Sequence, residues 1–230
     1  MIVRVAEQAA QSGAQQIWVA TDHHAIAAAV HEHGFKVCLT RDSHSSGTDR
    51  IAEVVEQQGW PDDTIVVNVQ GDEPLIPPAL ISEVAMHLHA HPECAIATAS
   101  HAIHDKDSML NPNIVKTVLD KQGNALYFSR APIPYPRDAI AHHAALPADV
   151  PVLRHIGIYA YRAGFLRAFG QLAPAAIEHV EALEQLRALY HGYKIGVVIT
   201  KHTPPSGVDT EQDLHVARQI FDATNREETQ

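Results

Sequence analysis

The stretch Asp63-Thr-Ile-Val-Val-Asn-Val-Gln-Gly-Asp-Glu-Pro-Leu75 is apolar and β-branched for most of its length and then turns abruptly acidic. Thr64 to Val69 lack the alternation of a half-wet strand, which predicts a central strand of a parallel sheet, covered on both faces. Gly71 and Pro74 predict a sharp turn directly after it. Ligands of open α/β sheets lie beyond the carboxyl ends of such strands, so Asp72 is placed to meet a metal or a substrate. Short Asp/Gly/Pro turns also use a carboxylate for their own stability, and this segment alone leaves both roles open.

Upstream, Ile2 to Ser12 reads as an amphipathic helix stopped by Gly13, and Gln16 to Thr21 as a strand ending at Asp22. His24 to His33 follows as a helix halted by Gly34, then Lys36 to Thr40 as a short strand. Arg41 to Arg50 reads as a polar loop leading to a helix over Ile51 to Gln58. This alternation predicts an α/β fold, a mostly parallel Rossmann-like sheet with helices on both faces. Downstream, Ala95 to Ala99, Ile114 to Leu119, Val152 to Arg162 and Tyr193 to Thr200 read as strands. Pro132 to Pro136 fits neither a central strand nor a helix interior, and Arg137 to Val150 reads as a small excursion. Ile177 to Tyr190 reads as one helix, with Leu183, Leu186 and Tyr190 on its apolar stripe and Glu181, Glu184 and Gln185 together opposite. The last helix is capped by Asp209 or Thr210.

At 230 residues the chain suits a single domain. A formal net charge of −10 disfavours a nucleic-acid binder, which needs a basic surface to release counterions. Neither a membrane-spanning segment nor a secretory signal is evident, so the expected location is the cytoplasm. Cys38 and Cys94 lie in apolar runs without CxxC spacing, which predicts reduced, packed thiols. The 17 histidines invite a metal reading. His87, His89 and His91 would share a strand face, but their surroundings are helical and there they diverge, so surface roles are expected. The same expectation covers His23-His24 and His142-His143.

Asp72 and Asp209 both follow predicted strands, and neighbouring strands would bring the two carboxylates to one sheet edge, where Mg²⁺ is held beside phosphate oxygens. Asp209 also begins an ordinary acidic helix N-terminus, which competes with that role. Arg130 lies between aromatic residues and a proline-stiffened segment that could fix its guanidinium for bidentate capture of a carboxylate. His155 and Tyr159, four apart on a strand, share a face and could both address sugar hydroxyls.

Taken as a set, these residues resemble the CMP-KDO synthetase family, the 3-deoxy-manno-octulosonate cytidylyltransferases. The matching blocks are Val19-Ala-Thr-Asp22, Thr40-Arg41 with Ser46-Gly-Thr-Asp-Arg50, Asn68-Val-Gln-Gly-Asp-Glu-Pro74, Asn111-Pro-Asn113 with Val115-Lys116, Tyr127-Phe-Ser-Arg-Ala-Pro-Ile-Pro134, Arg154-His-Ile-Gly-Ile-Tyr-Ala-Tyr-Arg162, Leu183-Glu-Gln-Leu-Arg187 and Gly207-Val-Asp-Thr210. They run in family order along the chain. The resemblance implies a fold of the nucleotide-diphospho-sugar transferase type and a Mg²⁺-dependent enzyme joining CTP to the octulosonate, with release of pyrophosphate, for lipopolysaccharide biosynthesis. It implies metal sites, and the catalytic centre, at Asp72 and Asp209, and a sugar pocket of Gln70, Arg130, His155, Tyr159, Glu184 and Gln185. Arg41 and the Ser46-Gly47-Thr48 turn would contact the nucleotide, and the expected assembly is a homodimer.

Family members open with a strand and an Arg-Leu-Pro-Gly-Lys loop that grips the triphosphate, whereas Met1-Ile-Val-Arg-Val matches the helix after that loop. The resemblance therefore implies an N-terminally incomplete domain, most simply through a start assigned too late. A truncated paralogue that binds the acidic sugar without catalysis, and a cytidylyltransferase for a related acidic sugar, are the alternatives.

Overall fold

The computed structural model describes residues 1–44, 46–141, 146, 152–201, 204–205 and 207–227. His142 and His143, and most of the predicted excursion, lie outside them. In chain order the elements are α1 (Ile2–Ala10), β1 (Trp18–Thr21), α2 (His24–Glu32), β2 (Lys36–Leu39), α3 (Gly47–Gln58), β3 (Ile65–Asn68), α4 (Pro78–Ala90), β4 (Ile96–Ala102), α5 (Lys106–Leu110), β5 (Lys116–Leu119), β6 (Ala125–Ser129), α6 (Arg137–Ala141), β7 (Leu153–Arg162), α7 (Ala163–Phe169), α8 (Ala176–Glu181), α9 (Gln185–Tyr190), β8 (Ile195–Ile199) and α10 (Glu211–Glu227). The α/β class read from the sequence holds. The chain forms two compact units, one from Met1–Asp42, Val69–Ser82 and Pro204–Gln230, the other from Ser43–Asn68 and Glu83–Thr203.

In the first unit β1 and β2 pair in parallel, with Trp18 opposite Lys36 and Thr21 opposite Leu39. Ala6 of α1, Val19 of β1 and Val30 of α2 form its core, with Ile2, Ile17, Phe35 and Val37 packed around them. Gly34 turns the chain from α2 into β2 at φ 78, a conformation glycine adopts without steric cost.

The second unit is built on a six-stranded sheet in the order β6-β5-β7-β4-β8, with β3 also paired to β7. β4 and β8 are parallel, while β7 runs antiparallel to β3, β4 and β5. β3 is therefore not the parallel strand its composition suggested. A β-branched run reports a strand's burial rather than its direction, and here the long β7 reverses the sheet. Phe128, Phe165, Leu166, Phe169, Leu186 and Ile195 form the centre of the core.

Two local expectations are corrected. α3 begins at Gly47, earlier than predicted, because Ser46 caps it: its hydroxyl accepts from Asp49 N at 3.1 Å and donates to the Asp49 carboxylate at 2.8 Å. The predicted helix over Ile177 to Tyr190 is two helices, broken where Ala182 takes a left-handed conformation at φ 51. The predicted faces are lost with it, and Tyr190 is 63% exposed. An L-residue pays about 1–2 kcal/mol for such a conformation. Ala182→Gly should accordingly raise stability by about 1 kcal/mol, less the extra freedom glycine gives the unfolded chain, as read from urea unfolding.

Cys38 and Cys94 are buried and in no disulfide, as expected. His89 is exposed, but His87 and His91 are half-buried and stack at 4.2 Å, so these two are not surface residues. His91 follows the end of α4, where its Nδ1 meets His87 O at 2.8 Å, and desolvation lowers the His87 pKa. His23 accepts from Ala25 N at 3.2 Å and caps α2. Among the described residues, no helix is long and apolar enough to cross a membrane.

Candidate active site

In the first unit, Gln70 to Glu73 form a turn closed by Glu73 N donating to Gln70 O at 3.2 Å. Gly71 does not need its predicted conformational freedom here, since its φ is not positive. Asp72 is half-buried at the third position of this turn, and its backbone carbonyl accepts from Val208 N at 2.8 Å. A Cβ on Gly207 would lie 3.3 Å from Asp72 O and 3.2 Å from the Glu73 carboxylate, so the two segments meet closely. Asp209, next in the chain, is brought to the Asp72 turn although 137 residues separate them (209 − 72).

The competing role for Asp209 falls to its neighbour. Thr210 Oγ1 accepts from Asp213 N at 3.2 Å, and the Asp213 carboxylate accepts from Thr210 N at 2.9 Å, a reciprocal cap at the start of α10. Hydrogen bonds from Thr210 hold the Asp213 carboxyl below its usual range. The Asp209 carboxylate, exposed, takes no part in this cap. Gln70 and Arg41, also of this unit, are exposed.

In the second unit, Arg130 is tethered along one edge. Its Nε donates to Glu181 O at 2.7 Å and its Nη1 to Pro112 O at 3.1 Å, whereas Nη2 is only 3.5 Å from Ala182 O. The Glu181 carboxylate accepts from Arg130 N at 2.9 Å and from the Ser129 hydroxyl at 2.6 Å. Beneath them Lys116 is 0% exposed, its ammonium donating to the carbonyls of Asn111, Ile114 and Arg130 at 2.9, 2.5 and 2.6 Å. Burial lowers the Lys116 pKa, and the Glu181 charge opposes that shift.

His155 and Tyr159 are closer than their spacing suggests. On a flat strand, residues four apart stand about 13 Å apart. Tyr159 pairs with Thr98 and His155 with Ser100, and a bulge in β7 absorbs the two extra residues. The two rings are consequently neighbours on one face, 5.3 Å between centroids. They belong to an aromatic row in which Phe128 meets His155 edge-on at 5.0 Å and Tyr159 stacks on Tyr161 at 5.7 Å. Desolvation pushes the His155 pKa down to about 3, and the Tyr159 phenol well above its usual value. The unfolded ring therefore takes a proton, from about 6.5 downwards, that the folded ring refuses until about 3, so stability should fall as pH is lowered through that window. Urea unfolding near neutrality and near about pH 5 should show a smaller loss for His155→Gln than for the unmodified protein.

Glu184 faces the start of α3. Burial raises its pKa, the neighbouring Ser46 and Thr48 hydroxyls pull it back, and Oε1 is left buried without a partner among the described residues. Thr48 is buried and also meets the Tyr161 hydroxyl at 3.2 Å, while Gly47 is exposed. Gln185 is buried at the first position of α9. The structure thus gathers His155, Tyr159, Glu184 and the α3 cap in one unit, and Asp72 with Asp209 in the other. Sequence reasoning passed over Glu181, Thr98 and the placement of Lys116. A polar residue inside an otherwise apolar strand, as in Ile96-Ala-Thr-Ala99, was the available signal for Thr98.

These features fit a nucleotidyltransferase, and residues 1–195 match the cytidylyltransferase family, to which the chain belongs. It is also similar to a solved structure of CMP:2-keto-3-deoxy-manno-octonic acid synthetase complexed with CTP. The two are 38% identical over 97% of this chain and 88% of that one, with a TM-score of 0.87.

Proposed function

We propose that this cytidylyltransferase couples CTP to 3-deoxy-manno-octulosonate, forming CMP-octulosonate and pyrophosphate for lipopolysaccharide biosynthesis. The observation that carries the reading is the Asp72 O to Val208 N hydrogen bond. It joins the two acidic segments while Thr210 relieves Asp209 of the helix cap. The solved synthetase complexed with CTP, similar along nearly the whole chain, supports it independently.

A pair of carboxylates fits Mg²⁺, which takes one or two of them and completes its shell with phosphate oxygens and water. Asp72 and Asp209 would hold it. Bound there, it would neutralise charge on the triphosphate and acidify the attacking hydroxyl. In the second unit the less engaged Nη2 edge of Arg130 would bind the sugar carboxylate, with Glu181 and Pro112 fixing the guanidinium plane. Tyr159, kept protonated, and neutral His155 would hydrogen-bond sugar hydroxyls, and Gln70, Glu184 and Gln185 would complete the recognition. Arg41 and the Ser46 to Thr48 segment would serve the nucleotide. In-line attack on the α-phosphorus depends chiefly on such positioning of two anions. We assign the activity to the cytoplasm and to a homodimer.

The test is pyrophosphate release from CTP with a panel of acidic sugars. Turnover is expected with octulosonate. Turnover of sialic acid without octulosonate would overturn the substrate assignment.

A further inference from the structure

The bulge that brings His155 to Tyr159 is filled by a side chain from the neighbouring strand. Thr98 is 0% exposed, and its hydroxyl lies 2.7 Å from Ile158 O, 3.2 Å from Ile156 O and 2.9 Å from His155 Nε2. A hydroxyl has one hydrogen to give, and the two carbonyls can only accept. The shortest contact, to Ile158 O, takes that hydrogen. Were it given to His155 instead, Ile158 O would lose its side-chain donor in a buried place, which is costly. His155 Nε2 can then approach the hydroxyl oxygen only as an N–H donor.

We infer that Thr98 fixes His155 as the neutral Nε2–H tautomer and thereby makes Nδ1 an obligate hydrogen-bond acceptor for a hydroxyl of the acidic sugar. Among the described residues none donates to Nδ1, so the acceptor is left for a ligand. Thr98 is thus a positioning residue: it acts through the ring. A site with an acceptor here favours a sugar presenting O–H and disfavours one presenting only a carbonyl oxygen. The Phe128 ring, edge-on at 5.0 Å, and Tyr159 restrict the imidazole from both sides, so the tautomer also has a defined direction. The assignment of the ligand rests on the function proposed above, whereas the tautomer does not.

Both parts can be read without turnover. In protein labelled with ¹⁵N-histidine and free of ligand, His155 should show a protonated Nε2 and an unprotonated Nδ1. Thr98→Val, of the same shape but without the hydroxyl, should release the ring to a mixture of tautomers and weaken octulosonate binding by about tenfold in calorimetry. CTP binding should be unchanged, and Thr98→Ser should restore both the tautomer and the affinity. A protonated Nδ1 in the unmodified protein, or an unaltered tautomer in folded Thr98→Val, would overturn the inference. If Thr98→Val does not fold, the unmodified protein and Thr98→Ser decide it, since both must show Nε2–H. A shifted tautomer with unchanged octulosonate affinity would overturn the role in sugar recognition. An Nε2–H ring in a protein that does not bind octulosonate at all would instead refute the proposed substrate and leave Thr98's role standing.

Discussion

Asp72→Asn should reduce CTP-dependent pyrophosphate release by at least about a thousandfold, the several kcal/mol that a metal held in the proposed site would contribute to charge stabilisation. The fold should survive. The contact that joins Asp72 to Val208 is made by its backbone carbonyl, which the substitution leaves in place. Tm should move by no more than about 2 °C, as for side chains outside a packed core. Asp209→Asn should cause a similar loss, and the double substitution little more, because in the proposed site both residues would serve one function. Thr210→Ala provides the contrast: loss of the α10 cap should cost about 1 kcal/mol of stability and spare the chemistry. Asp72→Asn protein with substantial turnover would remove this carboxylate from the catalytic centre.

Lys116→Met should be the most damaging change in stability, about 3 kcal/mol or a Tm lower by roughly 10 °C. The side chain is fully enclosed, and its ammonium is the common donor to three carbonyls, one of them that of Arg130. Methionine replaces its volume but supplies no hydrogen, so three acceptors from two chain segments are left unpaired at once. Arg130 should then lose its fixed backbone, and octulosonate binding should weaken by more than about tenfold even where the variant is folded. Lys116→Arg should not rescue it, because a planar fork cannot direct three donors from a single nitrogen. Differential scanning calorimetry and octulosonate titration check the two effects separately. A native Tm in Lys116→Met would show that these carbonyls do not depend on the lysine.

The α/β class, the strand before Asp72 and the burial of the cysteines were legible because each rests on a local pattern of apolar residues. The direction of β7 was not, since antiparallel and parallel buried strands share one composition. Nor was the break at Ala182, where alanine, the best helix former, sits at φ 51 without any glycine to mark it. Its causes are tertiary: Glu181 reaches Ser129 and Arg130, while Glu184 reaches the α3 cap. The start of α3 was legible after all, as Ser46 and Asp49 carry a capping spacing that the polar look of the loop obscured. At the site, residue types pointed to the chemistry, but partners such as Thr98 and Glu181 became visible only once strands distant in sequence were paired.

The bulge in β7 also makes the His155 to Tyr159 spacing a matter of parity. A relative lacking both of the two extra residues would still present histidine and tyrosine on one face, now in flat register with Thr98 and Ser100. A relative lacking only one would turn the tyrosine to the opposite face of the sheet, with every ring still encoded in the sequence. Length differences in this strand should therefore come in twos wherever the pair is kept, and a single-residue gap would mark a protein that reads its ligand differently.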